Sequence, residues 1–131
     1  MWRKPAIVGI VFLVSARAGA VCPVVVVTGV GDSDGIAVTF RNLGKLPIRQ
    51  LEFDCRSAQS RPRTSACREA NALFYPGVEY TVRYPYPGGQ AATVTLAVKS
   101  VTTSDGLVWR PSKRQPCRSL RIMPHTPQST H

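Results

Sequence analysis

Apolar side chains in this chain recur at every second position, over short segments that end at Gly, Pro, Asn or Asp. A period of two is typical of β-strands, in which successive side chains point to opposite faces, whereas an amphipathic helix needs a period near 3.6. The clearest alternation covers residues 36–41, 51–55, 78–84 and 94–99. About seven such strands follow one another at a spacing of roughly 8–12 residues. The sequence therefore predicts an all-β fold, an antiparallel, two-sheet immunoglobulin-like sandwich.

The alternation also predicts which side chains form the core of this sandwich. Those predicted to face inward are Ile36, Val38, Phe40, Leu51, Phe53, Cys55, Val78, Tyr80, Val82, Tyr84, Val94, Leu96 and Val98. Trp109, in the last predicted strand, belongs with them. Tyr75 and Tyr86 stand beside Pro-rich turns, so we predict that they are exposed and available for contacts.

Four cysteines, at positions 22, 55, 67 and 117, are an even number that predicts two disulfides in an exported chain. Sequence alone allows three pairings. We favour Cys55–Cys67, because the 12-residue separation includes Pro62 and can fold back on itself, which leaves Cys22–Cys117 to join the two ends. On the chain-entropy account these two crosslinks contribute roughly 3 and 4–5 kcal/mol. The absence of C-x-x-C spacing leaves zinc binding and thioredoxin-like chemistry with little support.

The first 20 residues have the order of a cleavable signal peptide. Arg3 and Lys4 precede an apolar stretch over residues 6–14, and small residues lead up to Ala20, after which we predict cleavage. The apolar stretch is nine residues long, too short for a membrane-spanning helix, which needs ~20. The sequence thus predicts a periplasmic or secreted protein with no transmembrane segment after cleavage.

Two alternatives to this processing stay open. Cleavage after Ala18 is one, because Arg17 interrupts the small residues. Lipidation of Cys22 is the other, although Gly19 and Val21 depart from the bacterial lipoprotein pattern. After cleavage at Ala20, residues 21–123 are predicted to form one domain and residues 124–131, rich in Pro, Thr, Ser and His, a disordered tail.

Three stretches carry a family resemblance: "IAVTFRNLGKLPIRQLEFDC", "YPGVEYTV" and "VKSVTTSDGLVW". Together they resemble the small exported immunoglobulin-like domains of bacteria, of which FxLYD-type domains are one group, over residues 36–109. These motifs describe turns of a sandwich, so the resemblance implies a fold and no particular activity. The extra cysteines and an Arg-rich loop depart from the family pattern.

Positive charge is the sequence feature that most strongly suggests a partner. Removing the leader leaves a net charge of +7, from 14 basic and 7 acidic residues. Arg56, Arg61, Arg63 and Arg68 lie in and beside the loop between Cys55 and Cys67 and are the predicted anion-binding residues. A second basic group follows the last predicted strand: Arg110, Lys113, Arg114, Arg118 and Arg121.

Guanidinium groups match phosphate and carboxylate, so the predicted partner is an anionic polysaccharide or lipid headgroup. Nucleic acid is disfavoured, because export separates the protein from most of it and no RNA-binding aromatic motif is present. Two other interpretations stay open. Charge can serve solubility alone, and a protein partner can dock on an exposed edge strand.

The sequence offers little for catalysis, metal binding or a cofactor, and we predict none of the three. Both histidines, His125 and His131, fall in the predicted tail, which leaves no imidazole for a rigid Ser-His or Cys-His pair. Glu52 and Asp54 are predicted to be a solvated strand face. The acidic segment 31–35 lacks the later ligands of a calcium loop, so we predict a hairpin turn there.

Overall fold

Eight β-strands make up most of the chain that the computed structural model describes, which is residues 21–57 and 65–124. In chain order they are β1 (Val24–Gly31), β2 (Ile36–Asn42), β3 (Ile48–Ser57), β4 (Ser65–Phe74), β5 (Glu79–Tyr84), β6 (Val94–Thr103), β7 (Val108–Trp109) and β8 (Leu120–Ile122). The predicted signal peptide, residues 1–20, and the predicted tail beyond Pro124 lie outside the described residues. Within residues 21–57 and 65–124, no helix is long and apolar enough to span a membrane.

The strands form two antiparallel sheets. The first sheet has the order β1-β2-β5, and the second has the order β4-β3-β6. Two short strands complete the second sheet on the free side of β6, where β7 pairs with Val101 and Thr102 and β8 pairs with residues 94–96. The chain changes sheets at β2–β3, β4–β5 and β5–β6, which is the arrangement of an immunoglobulin-like sandwich and confirms the predicted fold class.

The core lies between the sheets and follows the alternation of the sequence. Inward apolar side chains of β2, β3 and β6 that are at most 3% exposed are Ile36, Val38, Phe40, Ile48, Leu51, Phe53, Cys55, Val94, Leu96, Val98 and Val101. Phe40 is central, because its ring packs edge-on against Phe74 at 4.9 Å and against Phe53 at 6.0 Å between centroids. Edge-to-face contacts of this kind stabilise aromatic cores beyond the area they bury.

Both favoured disulfides are present. Cys55–Cys67 crosslinks the neighbouring strands β3 and β4, with 6.2 Å between Cα atoms. Cys22–Cys117 joins the segment before β1 to the connection between β7 and β8, with 5.4 Å between Cα atoms. The second crosslink therefore ties the edge of the first sheet to the edge of the second.

The edge strand β5 and its surroundings depart from the predicted core. Tyr84 is buried, but Val78 is 45% exposed, because β5 pairs only with β2 and begins after this residue. Tyr80 is half-buried, and its ring packs against Phe74 at 4.8 Å. Trp109 is likewise partly buried against the core.

The prediction that Tyr86 is exposed was wrong, whereas Tyr75 is 50% exposed as predicted. The Tyr86 side chain is 5% exposed, and its hydroxyl donates a hydrogen bond to the backbone oxygen of Asp32 at 2.6 Å. Burial and the negative charge of Asp32 raise the pKa of the Tyr86 hydroxyl. The local Pro-rich context indicated a turn, but this long-range bond draws the ring inward.

One end of the sandwich is organised by Asn42, the last residue of β2, which is 1% exposed. Its Nδ2 donates to the backbone oxygens of Leu46 at 2.9 Å and Phe74 at 3.0 Å, and its Oδ1 accepts from the Gly44 N–H at 2.8 Å. Its backbone oxygen accepts from the Gly77 N–H at 2.8 Å. A single residue, through its side chain and its backbone oxygen, therefore joins the β2–β3 connection to the end of β4 and the β4–β5 turn.

The hairpin turn predicted between β1 and β2 is confirmed, and Asp32 holds it together. Its Oδ1 accepts from the N–H groups of Asp34 at 2.8 Å and Gly35 at 3.1 Å, while Oδ2 accepts from Arg83 at 2.9 Å. The bond from Arg83, followed by the backbone bonds, lowers the pKa of the Asp32 carboxyl. Asp105 does the same in the β6–β7 turn, where the Thr103 hydroxyl and then the Leu107 N–H lower its pKa.

Because of these two carboxylates, the free energy of unfolding depends on pH in the acidic range. Because their pKa values are lower in the folded chain than in the unfolded chain, their contribution is present above about pH 4 and is lost as the pH falls through the folded values. We expect an Asp32→Asn/Asp105→Asn variant to lose less of its urea midpoint between about pH 5 and about pH 2 than the original protein does. Asp34→Asn is the control, since the Asp34 carboxylate makes none of these bonds. An acid profile of the double variant that matches the original would contradict the assignment.

Candidate anion-binding face

The outer face of the second sheet carries basic residues from four strands and from the segment after β7. The register places its outward residues opposite one another: Glu52 of β3 faces Arg68 of β4 on one side and Ser100 of β6 on the other. Its basic residues are Arg56 on β3, Arg68 on β4, Lys99 on β6, Arg110 after β7 and Arg121 on β8. We call this surface, with the acidic residues Glu52 and Asp54 between them, the cationic face.

Only part of this charge is neutralised locally. Arg56 lies 3.3 Å from the Asp54 carboxylate, and Lys99 lies 3.5 Å from the Glu52 carboxylate. Arg68, Arg110 and Arg121 are in no ion pair with any residue that the structure describes. Five cations against two carboxylates give the cationic face a net charge of +3.

The outer face of the first sheet shows the opposite arrangement. Arg41 pairs with Glu79 across β2 and β5, and Arg83 pairs with Asp32 at 2.9 Å. Between these pairs the hydroxyls of Thr39 and Thr81 are hydrogen-bonded to each other at 2.8 Å. This face is therefore electrically neutral, so the two sheets of the sandwich carry very different surfaces.

Arg68 and Arg110 line a shallow groove of about 200 Å³ on the cationic face. The remaining lining residues, from β3, β6 and β7, are Gln50, Leu51, Glu52, Ser100, Thr102 and Val108. Guanidinium groups form bidentate, charge-assisted hydrogen bonds with phosphate, sulfate and carboxylate, and amide and hydroxyl side chains add neutral donors. The groove thus combines the groups that recognise an anionic, hydroxyl-bearing ligand.

The structure brings together residues from both basic groups that the sequence singled out. Arg56 and Arg68, from the first group, share the cationic face with Arg110 and Arg121, from the second. Arg61 and Arg63 lie outside the described residues. The remaining members of the second group, Lys113, Arg114 and Arg118, are exposed on the connection between β7 and β8.

The sequence did not lead us to count Lys99 among the candidate anion-binding residues, and it did not predict the groove. The signal for Lys99 was present, because the alternation of β6 already placed it on the face opposite the buried Val94, Leu96 and Val98. The groove depends on strand order. It lies over β3 and β6, and Arg68 of β4 and Val108 of β7 line it from the two sides.

Five acidic side chains of the described residues, Asp32, Glu52, Asp54, Glu79 and Asp105, are engaged in hydrogen bonds or ion pairs. Glu52 and Asp54 lie on the solvated face, as predicted, and each has a basic partner on the same face. In residues 21–57 and 65–124, no group of three or more His, Cys, Asp or Glu side chains is placed to hold a metal ion. The two histidines lie outside this part of the chain.

No protein-family model matches this chain, and comparisons with curated proteins and with solved structures found no similar protein. The resemblance to FxLYD-type domains therefore stays a prediction.

Proposed function

We propose that the protein is an exported, non-catalytic binding module whose cationic face contacts an anionic component of the cell envelope, a polysaccharide or a lipid headgroup. Export is supported by the two disulfides, which persist in oxidising compartments such as the periplasm or the extracellular space. The observation that carries the proposal is a set of three arginines, on one face of the sandwich, that form no ion pair with any described residue, while the arginines of the other face are paired.

Charge that serves only solubility has no reason to be distributed in this way. On the first sheet both arginines have acidic partners, although those residues are also solvent-exposed. On the second sheet Arg68 and Arg110 line a groove that also contains Glu52, but neither arginine forms an ion pair with an acidic residue that the structure describes. Because both guanidinium groups line the same groove, an anion bound there would interact favourably with both.

The test compares two variants that lose the same charge at different places. We expect Arg68→Gln/Arg110→Gln to weaken retention on immobilised heparin, a sulfated polysaccharide, by about tenfold in affinity, which is about 1.4 kcal/mol. Lys113→Gln/Arg114→Gln, on the exposed connection between β7 and β8, is the matched control and should elute at nearly the salt concentration of the original protein. Equal shifts for both variants would show that only net charge matters, and would contradict a site on the cationic face.

A third variant, Arg61→Ala/Arg63→Ala, tests whether the loop between β3 and β4 also binds the anion. If the loop contributes, the variant that combines all four substitutions elutes from heparin at a lower salt concentration than Arg68→Gln/Arg110→Gln does. If the loop contributes nothing, the combined variant matches the cationic-face variant alone, and the site is confined to the sheet.

Docking of a protein partner on an edge strand is the alternative. β1, β4 and β5 each pair with one strand, and β4 is the edge strand that carries part of the cationic face. Two features of this strand oppose such docking. Asn71 has a positive φ of 58° within an irregular stretch of the register, and Arg68 places a charge along the same strand. Bulges and charged residues are the means by which natural sheets protect their edges from pairing, so the structure favours the anion-binding proposal.

A further inference from the structure

Exposed apolar side chains gather at one end of the sandwich. The described residues expose eleven large apolar side chains, and eight of them lie at the end where Asn42 joins the loops. These eight are Val21, Leu43, Leu46, Leu73, Tyr75, Val78, Leu107 and Val108, between 43% and 69% exposed. We call this surface the apolar tip. A cluster of this kind, in loops, marks an interaction surface.

The loops of the apolar tip are tied to one another, so they form one surface. The Asn42 side chain joins the β2–β3 connection to the end of β4 through its bonds to Leu46 and Phe74. The N–H of Ser104 donates to the Pro47 oxygen at 2.8 Å and brings in the β6–β7 turn. The N–H of Leu43 donates to the Pro23 oxygen at 2.7 Å and brings in the segment before β1.

Positive charge lies beside part of this apolar surface, while two carboxylates lie in its other loops: Glu79 follows Val78, and Asp105 is in the β6–β7 turn with Leu107. Val21 and Leu43 line two adjoining grooves beside the Cys22–Cys117 disulfide, of about 240 and 310 Å³. Arg118 lines the first groove and Lys45 the second, and no described Asp or Glu lines either one. The apolar tip also reaches the cationic face at Val108, which shares the 200 Å³ groove with Arg68 and Arg110.

We infer that the apolar tip inserts into the surface of an anionic lipid bilayer, with the flanking cations on the headgroups. The inference rests on the proposed function, because it names the anionic partner as lipid. A polysaccharide offers hydroxyls and charges but nothing that would bury protruding leucines. An anionic bilayer offers an apolar interior beneath a negative surface, which complements apolar loops with cations beside them.

The protein contains its own reporter for this contact. With residues 1–20 removed, Trp109 is the single tryptophan, and it lines the groove that also contains Val21, Leu43 and Lys45. Insertion replaces water around these residues with lipid. We therefore expect Trp109 emission to shift to shorter wavelength on vesicles of phosphatidylglycerol and phosphatidylcholine, and to stay unchanged on phosphatidylcholine alone.

The decisive experiment is vesicle co-sedimentation of the mature protein with two pairs of substitutions. Leu43→Thr/Leu107→Thr should lower the affinity for phosphatidylglycerol-containing vesicles by about tenfold or more, because it removes two side chains from the apolar tip. Val27→Thr/Val30→Thr is the matched control, since both valines are exposed on β1 outside the tip, at 42% and 57%. Thermal unfolding of each variant confirms that it is folded.

The outcomes separate this inference from the proposed function. Loss of binding in Leu43→Thr/Leu107→Thr together with a Trp109 shift supports insertion. If binding is lost only in Arg68→Gln/Arg110→Gln and Trp109 emission does not move, the cationic face binds anions and the insertion is refuted. If neither the original protein nor any variant binds the vesicles, the insertion is also refuted, and retention on heparin tests the proposed function independently.

Discussion

Replacing Cys22 and Cys117 with alanine is expected to lower the free energy of unfolding by about 4–5 kcal/mol. The crosslink closes a loop of 95 residues, and restricting so long a loop removes much of the conformational entropy of the unfolded chain. It also holds the segment before β1 against the connection between β7 and β8. Domains of this size have unfolding free energies of about 5–15 kcal/mol, so the variant is expected to be close to the limit of folding. Urea denaturation followed by Trp109 fluorescence measures the loss.

The second crosslink provides the comparison. Cys55–Cys67 closes a loop of 12 residues, for which the same reasoning gives about 3 kcal/mol. Both of these cysteines are at most 3% exposed, so their replacement also leaves a small cavity in the core. A loss below about 1 kcal/mol for the Cys22/Cys117 variant would mean that the packing of β8 against β1 already holds the two ends together.

That packing is visible at Gly29 of β1, and it was not predicted from the sequence. A Cβ atom added to Gly29 would lie 2.5 Å from Ile122 Cδ1 and 2.9 Å from Leu120 Cδ2, so the absence of a side chain is what lets β8 approach. Strand β8 itself was missed, because three residues within an Arg-rich stretch are too short to show a period of two. The alternation of β2, β3 and β6 was predictable, since each of these strands is long and has one buried face.

The candidate site was predictable only in part, for a related reason. Clustering in the sequence indicated Arg56 and Arg68, because both flank the loop between two cysteines. The contribution of Arg110 depends on β7 lying beside β6, and no local pattern encodes which strands become neighbours. The same limit explains Tyr86, whose position depends on a bond to a residue 54 positions away.

Asn42 shows the same limit most clearly, because its sequence context places it at the start of a turn. In the structure it is a buried end of β2 whose amide satisfies two carbonyl oxygens and one N–H. We expect Asn42→Ala to lower the free energy of unfolding by about 2–4 kcal/mol, since the bond to Phe74 is buried, the other two are part-buried, and a buried polar group left without a partner costs about 1–3 kcal/mol. Urea denaturation of the variant measures the loss.

Two further variants make this expectation specific to the amide. Asn42→Asp keeps the size of the side chain and the acceptor for Gly44, but it removes the donor and sets a carboxylate oxygen against two carbonyls. It should therefore destabilise at neutral pH about as much as alanine does, whereas Gln90→Ala, which removes an exposed amide, should change stability by less than about 0.5 kcal/mol. If Asn42→Asp retained the original stability, the Nδ2 bonds would not be what holds the loops together. The apolar tip would then lack the rigid frame that presents its side chains on one surface.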